Sequence, residues 1–110
     1  MTEYYKAEDL DKFGDVGKHN PALFKKFLDW YTSALAPGKV TKREKALIGV
    51  AVAHVIQCPY CIEAYTKSCL EEGMGLEHIT EAVHVGSAIR GGASLIHTIQ
   101  AHNAVDRASI

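Results

Sequence analysis

The sequence predicts an all-α protein, and three observations carry that prediction. Apolar residues recur at three- and four-residue spacing over most of the chain. Residues that start and stop helices stand at the ends of those stretches. No stretch alternates apolar and polar residues between hairpin turns, and no repeat or low-complexity tract intervenes. At 110 residues the chain fits a single domain, residues 1–110.

Taken in order, residues 8–13 read as a short helix ended by Gly14 and Gly17. Asn20-Pro21 opens the next helix, with Asn as N-cap and Pro at the first helical position. Leu23, Phe24, Phe27, Leu28, Tyr31 and Leu35 form its apolar stripe, and Trp30 and Tyr31 are expected to close its core. Ala36-Pro37-Gly38 ends it. Thr41 and Glu44 form a capping box for a third helix, residues 42–56, which is apolar on nearly every side. That pattern predicts a buried central helix.

A fourth helix starts around Cys58-Pro59, because Pro suits a first turn, and runs to Gly73. Met74-Gly75-Leu76 makes the turn into a final helix that begins near Glu77 and continues to Asn103, interrupted or bent at Gly91-Gly92. Unbroken, its 27 residues would span about 40 Å, against a diameter of roughly 34 Å for a compact domain of this size. The helix would overhang its own domain. Its small residues (Gly86, Ser87, Ala88, Gly91, Gly92, Ala93, Ser94) admit either a tight crossing within the chain or a second subunit.

Composition narrows the function. Hydrophobic residues make up 47% and charged residues 23%, the balance of a soluble globular protein. A net charge of −1, from 12 Lys+Arg against 13 Asp+Glu, argues against a nucleic-acid partner. The longest wholly apolar run, residues 46–53, is too short to cross a bilayer, and MTEYYKAEDL lacks the features of a secretory signal. Three cysteines are too few, and odd in number, for a secreted disulfide scaffold. The expectation is a cytoplasmic domain with no membrane or nucleic-acid partner, whose paired thiols do chemistry or hold a metal.

Two of those thiols stand in Cys58-Pro59-Tyr60-Cys61. Residues i and i+3 share a helix face, and a thiol at a helix N-terminus is favoured as thiolate by the unpaired N–H groups there. Such a pairing lowers a thiol pKa from about 8.5 into the range of roughly 3.5 to 7.5. His54, four residues before Cys58, is the candidate base, with a core histidine bonded to a carbonyl as the plainer reading. His54, Cys58 and Cys61 also have a spacing that zinc could use, with His84 or His97 as a fourth ligand. Cys69 reads as a buried small hydrophobe, Glu63 as a solvated helix residue and Tyr60 as a packing residue.

The segment KREKALIGVAVAHVIQCPYCIEAYTKSCLEEGMGLEHITEAVHVGSAIRGGASLIH, residues 42–97, resembles the carboxymuconolactone decarboxylase family in its AhpD-like alkylhydroperoxidase branch. The shared order is an apolar LIxxAVA helix, CxxC, an acidic helix end, a glycine turn and an EAV…GGA helix. With its N-terminal DLDKFGDVG, the chain looks closest to the arsenosugar-biosynthesis-associated peroxidase-like group. The resemblance implies an AhpD-like all-helical fold that forms homo-oligomers, trimers or hexamers, and uses its CxxC pair without a cofactor to reduce peroxides. It implies Cys61 as peroxidatic thiolate and Cys58 as resolving partner, whereas helix-terminus electrostatics favours Cys58. Where the family pattern has Glu and His, this chain has Ala46 and Tyr65.

The expected function is therefore a dithiol oxidoreductase acting on a small hydroperoxide, recycled by a dithiol reductant. Cys61, Cys58 and His54 are its catalytic candidates, and Tyr65 and His84 line the site. The alternatives are a metal- or arsenic-binding module through Cys58, Cys61 and His54, and a decarboxylase or isomerase of a small acid.

Overall fold

The computed structural model describes residues 3–109. A 3₁₀ stretch, Ala7–Gly17, precedes five α-helices: α1 (Pro21–Leu35), α2 (Lys42–Val55), α3 (Pro59–Glu71), α4 (Leu76–Ile96) and α5 (Thr98–Ala108). No strand occurs among the described residues.

The starts of α1 and α2 follow from local chemistry. Asn20 Oδ1 accepts from the Leu23 N–H at 3.2 Å, satisfying one of the four unpaired donors at the start of α1. At α2, Thr41 Oγ1 accepts from the Glu44 N–H at 3.1 Å, and Glu44 Oε1 accepts from the Thr41 N–H at 2.8 Å. Those hydrogen bonds hold the Glu44 carboxyl below its ordinary 4.5, because they favour the charged form. Lys45 Nζ donates to the carbonyls of Ala34 and Ala36, pinning the end of α1 onto α2. At the end of α3, Gly73 takes φ 78°, and Met74 N–H turns back to the Cys69 carbonyl at 2.9 Å. A left-handed residue is needed there, and glycine supplies it without a Cβ clash.

Helix α2 lies between α3 and α4, the central position expected from its composition. Val50, Cys69 and Met74 are fully buried, with Ala46 and Ile79 beside them. The Cys69 thiol donates to the Ala46 carbonyl at 3.4 Å, and burial pushes its pKa up. Where α4 crosses α2 the backbones approach closely: a Cβ on Gly86 would stand 2.8 Å from Val55 Cγ2. Arg90 donates to the Val55 carbonyl at the same crossing. One face of α2, carrying Ile48 and Val52 and continued by Ile56 just past its end, stays exposed.

Three details differ from expectation. The final helix breaks at His97, not at Gly91-Gly92, and resumes to Ala108. A glycine inside a helix costs about 1 kcal/mol relative to alanine without forcing a break. At His97, by contrast, the main-chain N–H bonds Ser94 and Nδ1 bonds Gln100. Trp30 is 70% exposed instead of closing the core, because only the Phe24 and Tyr31 side of α1 is partly covered. The N-terminal helix is 3₁₀ and runs through Gly14 to Gly17, where a Cβ would stand 2.6 Å from Phe24 Cδ1.

The overhang is real. The chain measures 58 × 39 × 37 Å with a radius of gyration of 19.0 Å, against about 13 Å for a compact domain of this length. Of the small residues on α4, Gly86 makes the crossing within the chain, while Gly91 and Gly92 have nothing within 4 Å of a built Cβ. Every residue from 87 to 109 is exposed. No helix of the described residues is long and apolar enough to cross a membrane.

Candidate functional site

The site forms at the corner between α2 and α3. Gln57 turns the chain with φ 56°, the one non-glycine left-handed residue among those described. Cys58 then bonds back through its N–H to the Ala53 carbonyl at 3.0 Å and serves as the N-cap of α3. Its Sγ accepts from the Cys61 N–H at 3.2 Å. The two cysteines are joined in a disulfide, with their Cα atoms 5.2 Å apart. The cap position sets the Cys58 sulfur against the positive end of the helix, an environment that favours a thiolate over a thiol.

Two cavities flank this pair. One, of about 400 Å³, lies among α1, α2 and α3, with aliphatic walls that include Leu35, Val40, Ile48, Val52 and Ile56. The other, of about 500 Å³, is roofed by Leu10, Phe13 and Val16 of the 3₁₀ stretch. Tyr31, Cys61 and Tyr65 line both cavities, whereas Cys58 lines only the second. Cys61 and Tyr65 stand one helical turn apart on the same face of α3. The Tyr65 hydroxyl is hydrogen-bonded to that of Tyr31 on α1. Burial holds the Tyr31 phenol above its ordinary 10.0. Gly49 makes room for the Tyr65 ring: a Cβ there would stand 2.9 Å from Tyr65 Cδ1.

Cys58, Cys61 and Tyr65 are thus brought together. His54 is half-buried in the last turn of α2, and its Nδ1 bonds the Val50 carbonyl at 2.7 Å. It lines neither cavity that reaches Cys61. His84 does not join the thiols either. It lies on the exposed side of α4, in a shallow hollow with Leu76, Glu77, Thr80 and Glu81, because α4 packs on a different side of α2 from α3. Ala46, in the family's Glu position, is core. Tyr31 is the site residue that sequence reasoning missed. Its helical spacing marked it as packing, and its partner lies 34 residues away. Among the described residues no group of three or more His, Cys, Asp or Glu could hold a metal ion.

The fold has a counterpart among solved structures. An apo crystal structure of a carboxymuconolactone decarboxylase family protein from Legionella pneumophila superposes with a TM-score of 0.66 at 25% identity, covering 91% of this chain and 89% of that one. "Uncharacterized protein 4 in cox locus" of Paracoccus denitrificans is 39% identical over 93 residues, 84% of each chain. The model of the carboxymuconolactone decarboxylase family matches residues 21–104, from the start of α1 into α5. The chain belongs to the carboxymuconolactone decarboxylase family.

Proposed function

We propose that the chain is a dithiol oxidoreductase that reduces hydroperoxides through Cys58 and Cys61. The observation that carries this reading is the disulfide across the first turn of α3, with Cys61 opening onto both cavities. In the reduced protein the Cys61 thiolate attacks the peroxide oxygen and becomes a sulfenic acid. The Cys58 thiolate, favoured by its cap position, then displaces hydroxide, which leaves as water, and closes the disulfide. A reduced dithiol partner reopens it by attacking Cys61, so that Cys58 departs as the better leaving group. His54 is the candidate base of the thiol pair only by its place four residues before Cys58: its Nδ1 is held by the Val50 carbonyl, and it lines neither cavity that reaches Cys61.

The chain works as a homo-oligomer in this proposal, a trimer or hexamer of cytoplasmic subunits. Support comes from the overhanging α4–α5 arm, whose Ile89, Leu95, Ile96, Ile99 and Val105 are exposed beside uncovered Gly91 and Gly92. A second copy would cover an apolar surface of a kind that monomers rarely expose.

The test is mass spectrometry of the reduced protein after one equivalent of hydroperoxide. A Cys58–Cys61 disulfide is expected in the wild type, and a sulfenic acid at Cys61 in Cys58→Ser. A sulfenic acid at Cys58 alone would reverse the two roles. Absence of any hydroperoxide-dependent oxidation would sink the peroxidase reading, and decarboxylation of a small acid surviving in the double Cys→Ser variant would replace it.

A further inference from the structure

The attack of a thiolate on an alkyl hydroperoxide leaves a proton account open. Cys61–S⁻ takes the terminal oxygen, the O–O bond breaks, and its electron pair departs on the other oxygen as RO⁻. An alkoxide is a poor leaving group unless a proton reaches it as the bond breaks. The family's Glu and His positions are filled here by Ala46, which is buried core, and Tyr65.

The hydroxyls of Tyr31 and Tyr65 supply what is missing. Two hydroxyls carry two hydrogens, and their mutual hydrogen bond uses one of them. Neither hydroxyl has another partner among the described residues, so one O–H remains to point at a ligand. Among the described residues, the one cation on the walls of the α1–α2–α3 cavity, Lys45, is spent on the carbonyls of Ala34 and Ala36. Apart from the sulfur, the tyrosine pair is thus the polar chemistry available in that cavity. Both rings stand on the wall that Cys61 shares with the two cavities. Tyr65 is held one turn from Cys61 and seated on Gly49, while the Tyr31 ring packs on Phe27 with centroids 5.5 Å apart.

We infer that Tyr31 and Tyr65 form a two-hydroxyl proton donor that delivers a proton to the departing alkoxide when Cys61 attacks a hydroperoxide. The inference rests on the dithiol-peroxidase reading and adds to it the acid of the reaction. The proton passes from the tyrosine whose O–H faces the ligand to RO⁻, giving ROH, and the second hydroxyl refills the first. Solvent reprotonates the pair through the open side of the cavity. A phenol is protonated at neutral pH, and burial shifts Tyr31 further the same way, so the donor stands beside the thiolate at neutral pH.

The experiment compares oxidants that differ in their need for that proton. Cumene hydroperoxide releases a strongly basic alkoxide, whereas peracetic acid releases acetate, which leaves without one. Reduced wild type, Tyr65→Phe and Tyr31→Phe are each mixed with either oxidant, and disulfide formation is followed by rapid quench and mass spectrometry. Each Phe variant is expected to slow the cumene hydroperoxide reaction by roughly tenfold or more while keeping the peracetic acid rate within about twofold. Alkylation of the reduced thiols by iodoacetamide, which also needs no proton donor, reports that the thiols are still in place and is expected to stay unchanged. Equal losses with both oxidants would make the tyrosines merely structural and overturn the inference. Unchanged cumene hydroperoxide rates would also overturn it, with the dithiol reading intact. A wild type that forms no disulfide with either oxidant would overturn both.

Discussion

Helix α2 and the arm formed by the second half of α4 and α5 carry similar apolar residues with opposite fates. Ala46, Val50 and Ala53 are buried between α3 and α4, whereas Ile89, Leu95, Ile99 and Val105 lie open. Hydropathy does not separate them. What differs is reach: the turns at Gln57 and Gly73 fold α3 and α4 back onto α2, while the break at His97 only redirects the last helix. Apolar surface in this chain is buried where a turn returns the chain to it, and left exposed where none does.

Four experiments bear on that contrast, from the largest effect on the chain's own fold to the smallest. Val50→Asp places a carboxylate where the side chain is fully buried. An unpaired buried charge costs on the order of 3–5 kcal/mol, a large share of a small domain's stability, so far-UV circular dichroism should register loss of the helical fold. Gly86→Val drives a side chain into Val55 at the α2–α4 crossing. Overpacking of this kind costs about 1–3 kcal/mol, to be read from the urea midpoint. A midpoint equal to wild type would mean that the crossing is looser than described.

The paired change Leu95→Asp with Ile99→Asp touches only exposed positions. Its expected effect on the protomer's own stability is within about 0.5 kcal/mol per site. If the arm joins subunits as proposed, analytical ultracentrifugation should nonetheless show wild-type oligomers reduced to monomers, and an unchanged sedimentation profile would remove the arm from that role. The smallest effect belongs to Glu44, whose carboxyl is held below 4.5 by Thr41. A lowered folded pKa contributes stability that is fully present above the unfolded value and is lost as pH falls through the folded one. In Glu44→Gln that dependence should vanish: melting temperatures of variant and wild type should diverge above pH 5 and draw together as pH falls below 4.5 through the lowered folded value.

The parts of the molecule legible in the sequence were those written in neighbouring residues. Asn20-Pro21, the Thr41–Glu44 box and Cys58-Pro59 each act within one helical turn, and each starts a helix where expected. The thiol pair was legible for the same reason, since i and i+3 need nothing from the rest of the fold. Positions that depend on what packs from a distance were not. Trp30 has the size of a core residue but faces away from the helices that could cover it, and Tyr31 gained a partner from α3 that no local spacing announces. Gly91-Gly92 looked like a break because glycine is a weak helix former. Inside a long helix with no competing bond, weakness alone did not end it.

The burial of Cys69 has a consequence for the oxidised protein. Three cysteines permit three different intrachain pairings, and exchange among them would turn one oxidised species into a mixture of isomers. Cys69 lies at the centre of the core, donates to the Ala46 carbonyl and has its thiolate disfavoured by its surroundings. Thiol–disulfide exchange proceeds through the thiolate, so the third sulfur is silent. Under the proposed dithiol chemistry, each oxidation would remove two electrons from one defined pair, and each reduction would restore the same pair.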